Sequence, residues 1–281
     1  MKETKAGIER QESETEACAK GVAEGSAEGR YIYSVVTGSE FDFGNIGIKG
    51  CSVYTIPYKE IAAVVHSCLA EPYDTENDDE AKGWVLEHSY VIDCATNAFG
   101  TVLPFSFDVI IKGGNEAVRG WLSQNYDHLR EELYRVKDRS EYSIQIFFDE
   151  KPLSEAVLSQ NPELSKLKAD IDTMSKGTAY LYLRKLDLKV KEEVSKEISK
   201  LAEEFGSCIG EQADEVKVER KVPKVPENYR DKKLVVALNC LVRDEKVETL
   251  GNLLDDINSR EGFAVRFTGP WAPFSFARLK R

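Results

Sequence analysis

The apolar positions along the chain switch between two periods, and each switch marks an element. Tyr31-Ile32-Tyr33-Ser34-Val35-Val36 crowds β-branched and aromatic residues into six positions and predicts a central first strand. Four glycines fall within residues 38–50. Ser52–Ile56 and Ile61–Val65 then predict two strands of a hairpin or meander, with Pro57 near the bend. Trp84, Val85, His88, Val91, Ile92 and Ala95 recur at helical spacing and predict a helix starting after the acidic, solvated loop Pro72–Asp79. Thr101–Phe107 predicts a strand interrupted by Pro104, which cannot donate to a ladder and so marks an edge or a bulge. Val118, Leu122, Tyr126, Leu129, Leu133 and Val136 step by threes and fours, giving an amphipathic helix from Asn115 to Val136, and Tyr142–Phe148 closes this half as a strand.

In the second half, Asn161-Pro162-Glu163 reads as a cap followed by proline at the first helical position. After Gly177 a stripe of Ala179, Leu183, Leu186, Val190, Val194, Ile198, Leu201 and Phe205 predicts one long helix with Lys and Glu on its other face. Such a stripe is a core-facing seam or, alternatively, a partner-binding face. Glu215–Val222 reads as a polar strand, Pro223 and Pro226 as a loop, Leu234–Val242 as a buried strand, Val247–Ile257 as a helix and Phe263–Phe267 as the last strand. The pattern predicts an α+β chain of two domains: an N-terminal ferredoxin-like sandwich over residues 31–150, and a helical segment with a smaller C-terminal α+β domain over 151–281. Residues 1–30 contain no aromatic side chain, seven glutamates and five Lys/Arg, a mix that cannot bury itself and predicts a disordered tail.

Composition changes this picture little: 281 residues suffice for two cores, and 42% hydrophobic with 31% charged residues is ordinary for a globular chain. Charge narrows the partners. A net charge of -11 repels nucleic acid and anionic membrane surfaces. No apolar run approaches membrane-spanning length and the N-terminus is polar, which together predict a cytoplasmic protein with no membrane or nucleic acid partner. Basic residues do gather between Lys217 and Lys233, as a solvated edge or a docking patch for an acidic partner. Nucleic acid ranks third for that stretch, since only Tyr229 could stack on a base.

Candidate chemistry is sparse. The six cysteines are spread singly and predict reduced, mostly buried thiols. Three histidines, His66, His88 and His128, show no metal-ligand spacing. His66 and Cys68 share a face if their strand continues, the nearest approach to a nucleophile pair, although buried unreactive thiols are the commoner case. Gly44–Gly50 matches neither the dinucleotide fingerprint nor the Walker loop and reads as a flexible turn. No catalytic, cofactor-binding or metal residue is expected.

One run stands outside composition: Phe267-Thr268-Gly269-Pro270-Trp271-Ala272-Pro273-Phe274-Ser275-Phe276, four aromatics within ten residues with Gly269 and Pro270 breaking a strand. Its local role reads as a sharp turn that packs against the second domain. The run resembles the signature that ends the gas vesicle accessory proteins of the GvpF/GvpL family. Upstream, Tyr31-Ile32-Tyr33 is similar to the family's opening strand, Ile61–Val65 to its alanine-valine strand, and Trp84–Val91 with His88 to its histidine-bearing helix. Val102-Leu103-Pro104-Phe105 is similar to its leucine-proline strand, and Arg139 with Tyr142–Phe147 to its closing strand. The chain departs at Ser106 and Asp108, where the family commonly has arginine and glycine, and at Ala272 and Phe274, which replace proline and tyrosine. The resemblance implies a non-enzymatic assembly or minor structural protein of the gas vesicle, binding the main shell protein and other accessory proteins. The motif positions it marks, as structural or interaction residues, are Tyr31, Tyr33, His88, Leu103, Pro104, Phe105, Thr268, Gly269, Pro270, Trp271, Pro273 and Phe276. The rival readings are a two-domain small-molecule-sensing regulatory protein and an enzyme using His66, Cys68 or His88.

Overall fold

The computed structural model describes residues 27–219 and 227–279, which divide into two compact units. The first holds the described residues through Ser140 together with the C-terminal stretch from Trp271; the second is Glu141–Pro270. Of the expected tail, residues 1–26 lie outside the described range. Residues Glu28–Arg30 already belong to the first strand, because all three have ladder partners, Gly29 and Arg30 on both sides.

In the first unit, β1 (Glu28–Thr37) is buried at every interior position, which only a strand covered on both faces can be. It pairs antiparallel with β4 (Ile61–Leu69) on one side, and on the other with the short β5 (Val102–Pro104) and β6 (Ile110–Lys112). A bulge between Ile32 and Ser34 shifts the β1–β4 register. Beyond β4 lie β3 (Val53–Tyr58) and β2 (Asp42–Gly44), giving the order β2-β3-β4-β1-β5.

Helix α1 (Asp78–Phe99) begins inside the expected acidic loop: the Asn77 side chain accepts from the Asp79 and Glu80 N–H groups, and Asp78, Asp79 and Glu80 favour the positive end of the helix dipole. Helix α2 (Asn115–Val136) has the bounds its periodicity predicts. Tyr31 meets α1 while its neighbour Ile32 shares a pocket with Trp121 of α2, so the two helices cover opposite faces of the sheet.

The second unit runs β7 (Arg139–Phe148, whose first two residues precede it), α3 (Glu150–Gln160), α4 (Pro162–Asp172), α5 (Lys176–Gly210), β8 (Glu215–Val218), β9 (Lys233–Arg243), α6 (Val247–Ser259) and β10 (Phe263–Trp271). Its sheet order is β10-β7-β9-β8. With the helices of α3–α5 counted as one crossover, this is the βαββαβ ferredoxin-like order. The α+β class stands, but the ferredoxin-like arrangement expected in the first half is built in the second. Alternation on β7 turns Tyr142, Ile144 and Ile146 to one face, where Phe205 and Ile209 of α5 and Leu250, Leu254 and Ile257 of α6 cover them. A separate small cluster of Leu164, Ile171 and Leu186 holds α4 to the N-terminal half of α5.

The last strand corrects a second expectation, since β10 continues through Gly269 and Pro270 to Trp271 instead of breaking there. Gly269 has φ 137°, and a Cβ on it would come within 2.8 Å of the Glu141 carbonyl oxygen and the Tyr142 ring, so glycine is what lets the strand pass so close to β7. Cys68, Cys94, Cys208 and Cys240 are free thiols, whereas Cys51 is disulfide-bonded, so the expectation of six reduced cysteines does not hold. No described helix is long and apolar enough to cross a membrane.

Candidate functional site

The resemblance marked residues far apart in sequence, and the first unit brings several of them together. Tyr31 and Tyr33 of β1, both fully buried, aim at two histidines that are themselves buried, His88 on α1 and His66 on β4. His88 Nε2 lies 3.1 Å from the Phe105 carbonyl oxygen, which can only accept, so Nε2 carries the proton. Nδ1 is then the acceptor for Tyr31 Oη at 2.9 Å, and Tyr31 Oη in turn accepts from the Asp108 N–H at 3.0 Å. Tyr33 Oη accepts from the Ile48 N–H at 3.0 Å and gives its proton to His66 Nδ1 at 2.8 Å, leaving His66 Nε2 to donate to Tyr73 Oη at 2.8 Å. Each phenol and imidazole is therefore satisfied, as burial demands.

Burial disfavours charge throughout this cluster. It pushes His66 down to about 3, with Arg30 and His88 adding to the effect, and His88 down to about 4, against the Phe105 hydrogen bond. It raises the tyrosines Tyr31, Tyr33 and Tyr73 well above the ordinary phenol value. The segment expected to be a flexible turn has a specific duty here. Gly47 packs so closely that a Cβ would fall 2.8 Å from the Cys51 carbonyl oxygen and 2.9 Å from Tyr33 Oη, and this approach sets the Ile48 N–H onto the Tyr33 hydroxyl.

The departure at Asp108 has a physical explanation. Its φ of 68° is the left-handed conformation that glycine adopts freely and aspartate tolerates, while its carboxylate accepts from the Tyr73 N–H at 3.0 Å.

The nucleophile pair does not form. His66 spends both nitrogens on tyrosines, and burial pushes the Cys68 thiol up to about 11, away from the thiolate. Among the described residues no three His, Cys, Asp or Glu side chains are grouped to hold a metal ion.

On the opposite face of the sheet lies a pocket of about 380 Å³. Its floor is Ile32, Val109 and Ile111; Pro104, Phe105 and Ser106 form one wall and Trp121 of α2 another; Phe274, Ala277 and Leu279 close it from the C-terminal stretch. Apart from Ser106 its lining side chains are apolar or aromatic, while polar atoms still supply a substantial share of its surface. Phe105 and Trp121 meet edge to face with centroids 5.8 Å apart.

The aromatic run at the C-terminus is divided between the units, not packed on the second as expected. Thr268, Gly269 and Pro270 end the second unit; from Trp271 onward the chain belongs to the first. Ala272 joins the core that contains Tyr31, Tyr33 and Trp84, Pro273 is buried, and Phe276 is fully buried, while Trp271 stays half exposed. Helix α2 holds this stretch with polar groups. Arg135 Nη2 donates to the Phe276 carbonyl oxygen at 2.6 Å and pairs with Glu132 at 2.7 Å; Glu132 also accepts from the Arg278 N–H at 3.2 Å. Burial opposes the charge on Glu132, but Arg135 and the Arg278 N–H outweigh it and hold its pKa below the ordinary value. His128 Nε2 lies 2.6 Å from the Arg278 carbonyl oxygen.

Sequence reasoning missed Trp121, Glu132 and Arg135. Glu132 left a signal: three residues after Leu129 and four before Val136, it sits on the apolar stripe where a carboxylate has to find a partner. Leu103 is fully buried in β5, opposite Val35, and is a core residue. The basic stretch from Lys217 is largely neutralised where it is described: Arg230 pairs with Glu227, Lys232 with Asp149 and Lys233 with Glu150. Arg220, Lys221 and Lys224 lie outside the described residues.

Comparison with known proteins gives one answer. The family described as "Gas vesicle synthesis protein GvpL/GvpF" matches residues 29–278. Gas vesicle protein L1 of Halobacterium salinarum is 31% identical over 256 residues, covering 89% of this chain and 91% of its own, and gas vesicle protein L of Haloferax mediterranei is 30% identical over 84% and 74%. Among solved structures, the gas vesicle protein GvpF from Anabaena sp. superposes with a TM-score of 0.67 at 18% identity, covering 90% of this chain and all of that one, and GvpF from Microcystis aeruginosa with 0.61 at 18% over 89% and 99%, a likeness of fold. Matched over nearly its whole described length, the chain belongs to the gas vesicle synthesis protein family GvpL/GvpF.

Proposed function

We propose that this protein, whose role is tied to gas vesicles by its family, serves there as an assembly or minor structural protein that binds the main shell protein and other accessory proteins, without catalysis. It acts from the cytoplasm on the growing vesicle. The observation that carries this reading is the pocket of about 380 Å³, apolar and aromatic, built partly from the motif residues Pro104 and Phe105. A pocket with such side chains can hold an apolar side chain of a protein partner. The state of the titratable groups agrees: His66, His88 and Cys68 are all driven to their neutral forms, and each imidazole is fully engaged.

The test is co-expression with a gas vesicle shell protein and the accessory proteins, followed by pull-down. The wild-type chain is expected to bring the shell protein down, and Ala277→Trp, which fills the pocket from its C-terminal wall, is expected to lose it while keeping the wild-type melting temperature. Reproducible absence of any association by the wild-type chain, with every accessory partner present, would sink the proposal. A clear thermal shift with one metabolite would instead favour the rival reading of a two-domain small-molecule-sensing protein.

A further inference from the structure

The pocket wall formed by Phe105, Ser106 and Val109 belongs to the connection between β5 and β6, which is neither helix nor strand. Its shape is therefore set by whatever holds its backbone. The Phe105 N–H donates to the Tyr33 carbonyl oxygen at 2.9 Å, the Ile32 N–H to the Val109 carbonyl oxygen at 2.9 Å, and the Asp108 N–H to Tyr31 Oη at 3.0 Å. These three bonds all tie the connection to β1. A further one comes from α1, where His88 Nε2 donates to the Phe105 carbonyl oxygen at 3.1 Å.

That bond acts on the one residue of the wall whose direction matters most. Phe105 is tied at its N–H and at its carbonyl, so the peptide planes on both sides of its Cα are held, and with them the direction of its Cα–Cβ bond. This direction carries the ring into the pocket, edge to face with Trp121. The same imidazole also backs a second wall: its centroid lies 6.4 Å from that of Phe274, which closes the pocket from the C-terminal stretch. The Phe107 ring packs on it too, at 5.9 Å. His88 is itself buried and does not line the pocket. Tyr31 Oη donates to its Nδ1, which fixes the tautomer and turns Nε2–H onto the carbonyl, and burial keeps the ring neutral.

We propose that His88 is a positioning residue for the docking pocket: through the Phe105 carbonyl and the Phe274 ring it sets the two walls between which a partner's apolar side chain enters. Its consequence for binding rests on the pocket being where the shell protein docks, whereas the shape of the pocket can be measured with no partner present. Two substitutions separate the two ring nitrogens. His88→Asn places an amide oxygen near the position of Nδ1, where it accepts from Tyr31, but falls short of the Phe105 carbonyl. His88→Gln reaches that carbonyl with its amide N–H and gives up the Tyr31 bond. Both lose the ring against Phe274, so the difference between them reads the Phe105 bond alone.

Fluorine NMR of the full chain labelled with 5-fluorotryptophan reports the pocket through Trp121, whose signal is assigned with Trp121→Phe. His88→Asn should move that signal and raise the shell protein concentration needed for half-maximal capture by about tenfold, the worth of one unmet buried hydrogen bond. His88→Gln should recover most of both. A His88→Asn chain with the wild-type Trp121 signal and wild-type capture overturns the proposal, and so does a His88→Gln chain that behaves like His88→Asn. A wild-type chain that captures no shell protein, while Trp121 still follows the expected pattern, overturns the docking reading alone and upholds the shaping of the pocket by His88. Should either variant fail to fold, Ala277→Trp puts the question from the other side, because coupling between two sites is reciprocal. Filling the pocket should shift the imidazole proton resonances of His88 by more than those of His66, which lies in the same cluster but bonds tyrosines. Equal or absent shifts overturn the proposal.

Discussion

Strand β1 of the first unit and the N-terminal half of α5 in the second are both rich in tyrosine and aliphatic residues, yet the fold treats them in opposite ways. Tyr31 and Tyr33 are wholly buried with each hydroxyl hydrogen-bonded, whereas Tyr180, Leu181, Leu183 and Leu188 stand at least half in solvent. The difference is one of available partners. A central strand has neighbours on two edges and helices on two faces; a helix that extends along a small three-helix cluster has one covered side. Apolar sequence therefore marks core in the first place and free surface in the second.

The strongest blow to the first region is expected from Phe276→Ala, which empties a fully buried aromatic site and should cost about 3–5 kcal/mol in urea unfolding. Removing Arg135 by alanine comes next: it strands the buried Glu132 carboxylate and frees the Phe276 carbonyl, for a loss of about 3 kcal/mol, and Glu132→Gln in the same background should restore part of it. A silent Arg135→Ala would show that the C-terminal stretch is held by its aromatics alone. Tyr33→Phe should cost about 1–3 kcal/mol, because the Ile48 N–H and His66 Nδ1 both lose their partner with no change in shape.

Acid should separate the two regions as well. Both buried histidines have folded-state values below their ordinary 6.5, so under that pH the unfolded chain binds more protons than the folded one. Stability is therefore full above about 6.5 and falls as pH drops towards the folded values. Between pH 6.5 and 5 the loss is up to about 2 kcal/mol per histidine. Equal denaturation midpoints at pH 7 and pH 5 would contradict the buried, neutral assignment. At the small end, Leu188→Ala should change stability by under about 0.5 kcal/mol, which a core residue of that size could not do. Ser34→Ala should be neutral or slightly stabilising, since its buried hydroxyl has no hydrogen-bond partner among the described residues.

Periodicity and turn chemistry were enough to read most elements. The bounds of α2, the Asn161–Pro162 start of α4 and the buried β9 follow from spacing and capping that act over a few residues. Where reading failed, a distant partner had decided. The chain is ferredoxin-like in its second unit because strand order is set by which edges pair, which no local pattern encodes. The candidate site divides in the same way. Tyr31, Tyr33, His88 and Phe105 were legible as motif positions, but Trp121 and Arg135 emerge only when α2 is laid against the sheet and the C-terminal stretch.

By itself the sequence determined the α+β class, most of the element bounds, and the family through its aromatic ending. Tertiary structure alone decided that this ending crosses from one unit to the other, that Gly47 sets a backbone N–H on a buried tyrosine, and that the stripe on α5 is only partly used. The reason is physical. Propensity and periodicity are fixed within a turn or two, whereas burial and hydrogen-bond satisfaction depend on groups that the folded chain brings from a hundred residues away.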